Sequence, residues 1–118
     1  MDVAIQVDPE KEPELYDRLR SASEALEDIV GPRAARFVSG VEWSRLTDSG
    51  PFGPRQAIRL KMTDRLSGTV QESFQPVELR SPAYMRTRLR EVWTKFLRQL
   101  SDEQMDRIDQ MVSSLEGN

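Results

Sequence analysis

Glu72 sits in a short alternating segment at the same parity as Val70 and Phe74, so its carboxylate points toward whatever those two side chains pack against. A carboxyl group in that setting can act as a general acid or base, because burial raises its pKa. It can equally be one half of an ion pair with an arginine. Catalysis by Glu72, or by Glu42, would need a second ionisable group in the same cleft. The chain has no histidine and no cysteine. That removes the usual neutral-pH acid–base group, the thiol nucleophile and the commonest soft metal ligands. Gly50 and Gly53 lie between strand signals rather than ahead of a helix, so they do not form a phosphate-binding loop. No nucleophile elbow is present. The expectation is a protein that is not an enzyme and uses no cofactor and no metal.

A second chemical possibility lies in the cations Arg80, Arg86, Arg88, Arg90, Lys95 and Arg98, which crowd one stretch of the chain. At about 100° per residue, Arg86 and Arg90 fall on one flank of an apolar helical stripe, and Arg88 and Lys95 fall on the other. Phosphate tracking wants charges on one surface. The α-β-β-β-α order over about residues 12–98 resembles that of double-stranded-RNA-binding domains. The loop Ser49–Arg55 is similar to the glycine–proline loop between that family's first two strands. The resemblance implies binding to RNA or DNA through Arg80, Arg86 and Arg90. The family's loop histidine and its lysine cluster at the start of the last helix have no counterpart here. Nucleic acid therefore ranks behind a protein partner.

Two features favour a protein partner. Phe52 is the one aromatic residue in a loop rich in glycine and proline, where it either anchors a partner or folds back on the sheet. Near the carboxyl end, Met105, Ile108, Met111, Val112 and Leu115 form a stripe, and its methionines suit adaptable packing. This stripe either packs back on the preceding helix as an antiparallel hairpin or docks on another protein. Trp93, on the broad apolar face of that preceding helix, joins the candidate contacts.

The elements that must position these residues follow from periodicity. Val3, Ile5 and Val7 alternate as a short strand. A helix begins near Glu10, with Leu15, Leu19, Ala22, Leu26 and Ile29 on one face, and ends at Gly31-Pro32. Three strand signals follow: Phe37–Arg45, Ile58–Met62 and Val70–Phe74. Thr47–Pro54 reads as a loop, and Asp64–Gly68 as a hairpin turn. Ser81-Pro82 starts a helix carrying Met85, Leu89, Val92, Trp93, Phe96, Leu97 and Leu100. Ser101 and Gln104 make a capping box for the last helix, which Gly117 closes. The fold class is therefore α+β. A small three-stranded antiparallel sheet, four-stranded if Val3–Val7 joins it, has an N-terminal helix and two C-terminal amphipathic helices.

With 118 residues the chain makes one α+β domain, residues 1–118. No apolar run reaches membrane-span length, and Met1–Glu12 lacks the pattern of a signal peptide. The expected location is the cytoplasm, with no membrane contact. Net charge is −6 over residues 1–31, +3 over 32–77, +4 over 78–100 and −4 over 101–118. Acidic ends and a basic middle predict ion pairing within the monomer or across a dimer. The function expected is a non-catalytic protein–protein interaction module, acting as a homodimer or as a small subunit or adaptor of a larger assembly.

Overall fold

Alternation of apolar and polar residues gives one sheet face something to bury, and two helices bury it. The computed structural model describes residues 1–116, with side chains for all of these except 48–50 and 116. The elements run β1 (Asp2–Ile5), α1 (Pro13–Ala34), β2 (Val38–Gly50), β3 (Gly53–Asp64), β4 (Thr69–Phe74), α2 (Pro82–Gln99) and α3 (Asp102–Glu116). Short 3-10 turns at Ala35–Phe37 and Glu78–Arg80 precede β2 and α2. The fold is α+β, with a four-stranded sheet in the order β1-β2-β3-β4.

β2, β3 and β4 form an antiparallel meander, as their short connections require. β1 joins as a fourth strand but runs parallel to β2, with Val3 beside Val41 and Ile5 beside Trp43. The long helix between them returns the chain to the end of the sheet where it began, and that connection gives parallel pairing.

The interior side of the sheet carries Val41, Trp43, Ile58, Leu60, Met62, Val70 and Phe74, all buried. α1 contributes Leu19, Ala22, Leu26 and Val30, and α2 contributes Met85, Leu89, Val92 and Phe96. The Trp43 and Phe74 rings meet at 5.9 Å in a tilted pair. The buried indole donates its N–H to Ser23 Oγ at 2.8 Å, and Ser23 Oγ donates to the Leu19 carbonyl at 2.8 Å. Every polar atom of that triad is thus satisfied inside the core.

Helix boundaries follow local chemistry. α1 starts at Pro13 rather than Glu10, because proline suits the first helical turn and Asp8-Pro9 precedes it as a turn. Gly31 takes φ +78° and kinks the chain, and one further helical turn runs on from Pro32. Ser81 Oγ accepts from Tyr84 N at 3.3 Å, capping α2. Ser101 and Gln104 form the reciprocal capping box of α3, at 2.9 and 3.2 Å. Gly117 lies outside the described residues.

Between β3 and β4, the buried Asp64 carboxylate accepts from Leu66 N at 2.7 Å and Gly68 N at 3.1 Å. A Cβ at position 68 would meet that carboxylate, so any larger residue there would have to push the Asp64 side chain aside.

Candidate interaction surface

The segment read as a loop, Thr47–Pro54, is mostly strand. β2 runs to Gly50 and β3 starts at Gly53, so only Pro51 and Phe52 turn the corner. β1 ends beside Trp43 and β4 ends beside Ile58. Beyond those points, the pairs from Leu46–Ala57 to Gly50–Gly53 continue as a two-stranded arm, with no strand on either side among the described residues. Glycine and proline give this stretch the composition of a loop, yet it pairs as strand. They are usually loop residues, but Pro54 is tolerated where a strand has no neighbour to receive its N–H, and Gly53 supplies the φ of +105°.

The arm lengthens the molecule. The radius of gyration is 15.6 Å, against about 13.5 Å for a compact chain of this size. Its base is braced by Arg45, which pairs with Glu12 ahead of α1 and donates to Gln56 Oε1 at 2.8 Å. At its tip Phe52 is 90 % exposed, so the ring stands in solvent rather than folding back on the sheet.

The stripe on α3 is divided. Ile108 is fully buried, and Met105 and Val112 pack against the core. Met111 is 44 % and Leu115 77 % exposed, so the stripe overhangs the body. The helix does not fold back along α2 as a hairpin. It docks against the 3-10 turn at Ala35–Phe37, where Arg36 pairs with Asp109. Trp93 is half-buried and stacks on Phe96 at 5.3 Å. Of the candidate partner contacts, Phe52, Met111 and Leu115 therefore face solvent, while Ile108 belongs to the interior.

The charged candidates are largely committed within the chain. Glu72 accepts from Lys95 Nζ at 2.8 Å and from Arg88 Nη2 at 3.2 Å. The Lys95 hydrogen bond holds its carboxyl below the usual carboxylate range, and the Arg88 charge adds to the effect against the opposing cost of burial. Arg88 also pairs with Glu78 at 3.0 Å and lies over the Phe74 ring at 4.7 Å. Glu72 is thus an anion held by two cations, and the lowered pKa is the reverse of what a general acid near neutral pH needs.

Arg86 pairs with Asp28 on α1 at 2.8 Å. Arg80, on the 3-10 turn, lines the groove between α1 and α2 together with Arg86, and also a cleft of about 500 Å³ at the arm's base with Lys11, Arg18 and Arg45. Arg90 is on the outer side of α2 beside Thr87, Thr94 and Arg98. The three arginines thus form no single free stripe. A more apolar groove of about 330 Å³, walled by Ala22, Ala25, Leu79 and Met85, runs between α1 and α2.

Among the described residues, no three acidic groups are gathered in a way that could hold a metal ion. No described helix is long and apolar enough to cross a membrane. No family model matches the chain, and no curated protein or solved structure resembles it.

Proposed function

We propose that this chain is a non-catalytic protein–protein interaction module that presents Phe52 on its β arm to a protein partner. The observation that carries the reading is the 90 % exposure of an aromatic ring at the tip of a braced arm. A phenylalanine moved from water into a partner's pocket contributes roughly 1.5–3 kcal/mol, enough to make it a binding anchor. The bracing by Arg45 limits the ordering cost when the arm docks. Met111 and Leu115 offer a second apolar contact at the end of α3. The committed ion pairs of Glu72 support a non-catalytic role. A cytoplasmic setting fits a chain without cysteine.

The test compares the wild-type chain with Phe52→Ser as baits in lysate of the source cell, with unchanged circular dichroism as the control for folding. Proteins retained by the wild type and lost by Phe52→Ser are the expected result. Identical retained sets would remove the arm from the reading.

A further inference from the structure

The two edges of the sheet are treated differently. At β4, α2 reaches over the edge. Arg88 Nη2 donates to the Ser73 carbonyl at 3.2 Å, and Gln99 Nε2 donates to the Thr69 carbonyl at 3.1 Å. Side chains thus occupy acceptors that another strand would use. At β1, Gln6 N donates to the Trp43 carbonyl at 2.8 Å. Main-chain direction alternates along a strand, so Asp2, Ala4 and Gln6 turn their main-chain groups toward β2. Val3 and Ile5 turn theirs outward. Among the described residues, no hydrogen bond from outside the sheet reaches either one. The side chains of Val3 and Ile5 are half-buried on the core side, next to Val41 and Trp43.

We infer that this edge pairs with β1 of a second copy, antiparallel about a two-fold axis at Ala4. In that register Val3 lies opposite Ile5 of the second copy, and Ile5 opposite its Val3. Each couple exchanges two N–H···O=C bonds, so all the outward groups of both residues are used. The side chains agree as well. Val3 and Ile5 share one face, so each apolar side chain meets an apolar one and the two cores join along the seam. Asp2 falls opposite Gln6, so no like charges oppose. The strand is its own complement, which is why the occupant is a second copy. β2 runs parallel to β1, so the two-fold axis sends the two arms in opposite directions. The dimer offers two Phe52 tips, one at each end of an eight-stranded sheet. The inference rests on the interaction-module reading for its purpose but uses a different surface.

Light scattering with sedimentation tests it. The wild type is expected to approach twice the 13.6 kDa chain mass as concentration rises. Val3→Pro removes an outward donor and no bond of the intrachain ladder, and proline is tolerated on an edge strand. It is expected to stay monomeric, with the melting profile of the dilute wild type. Should Val3→Pro fail to fold, amide exchange of the wild type decides the matter: Val3 and Ile5 amides gain protection with concentration if the edge pairs. A nitroxide on Arg55→Cys is expected to show a separation on the order of 40–50 Å, from ~3.3 Å per residue and ~4.8 Å per strand. Phe52→Ser is expected to leave the mass unchanged.

A monomer at the highest soluble concentration overturns the inference, as does a Val3→Pro dimer or a short label distance. Concentration-independent exchange at Val3 and Ile5 overturns it too. A dimer lost in Phe52→Ser but kept in Val3→Pro would make the arm the self-contact, and the interaction-module reading would stand without the β1 seam.

Discussion

Glu72 shows how one side chain answers a functional question through its neighbours. Its position places the carboxylate among apolar side chains, and the sequence does not say whether a cation follows it there. Lys95 and Arg88 do, from two turns of α2. Their attraction lowers the folded-state pKa below the ordinary value of 4.5, which the unfolded chain keeps. A group with a depressed folded pKa binds more protons when unfolded. Its stabilisation is therefore complete above the unfolded value and is lost as pH falls through the folded one. Urea unfolding measured from pH 7 down to pH 3 should show stability falling below about pH 4.5. Glu72→Gln should cost about 1–3 kcal/mol at pH 7 and flatten part of that acid limb. An unchanged acid limb would remove Glu72 from the account. Ser23 makes a second case. Ser23→Ala leaves the buried Trp43 N–H without its acceptor, and urea melts should show a loss of about 1–3 kcal/mol.

Among the elements, α3 is the one whose attachment rests on a few contacts. Ile108 is its fully buried anchor, and Arg36–Asp109 fixes its rotation beside the Ala35–Phe37 turn. Ile108→Ala should cost about 2–5 kcal/mol and release the helix, visible as faster amide exchange confined to residues 102–116. Leu115→Ser, on the overhang, should change stability by less than about 0.5 kcal/mol. Equal costs for the two would mean that the stripe is packed along its whole length. The β arm shows the complementary principle. A two-stranded ribbon is marginal alone, and here it grows from the centre of a packed sheet and is tied at its base by Arg45.

Across the whole molecule, charge is arranged by region. Among the described residues, three ion pairs join the acidic ends to the basic middle: Glu12–Arg45, Asp28–Arg86 and Asp109–Arg36. Each partner is more than a third exposed, so each pair is screened by salt and contributes little. Raising salt from low to about 0.5 M should therefore lower stability by no more than roughly 1–2 kcal/mol, read as a small fall in melting temperature. A larger loss would mean that these pairs, rather than the core around Trp43 and Phe74, hold the ends to the body.

Periodicity along the chain was enough to identify the helices, the meander, the caps at Ser81 and Ser101 and most of the core, because those features depend on residues near one another in sequence. Val41 and Trp43, or Leu89 and Phe96, declare their faces by spacing alone. The stripe from Met105 to Leu115 could be named as a candidate in the same way, and Phe52 by its place among glycines and prolines. What spacing left open was decided by contacts between distant segments. The direction of β1 depends on where α1 returns the chain. The arm exists because β1 and β4 stop short of β2 and β3. Glu72 is a doubly paired anion because α2 lays Arg88 and Lys95 against it. Ile108 is interior and Leu115 exposed because the body ends between them. Each outcome turns on burial and on the field of remote charges, which arise only when the elements pack.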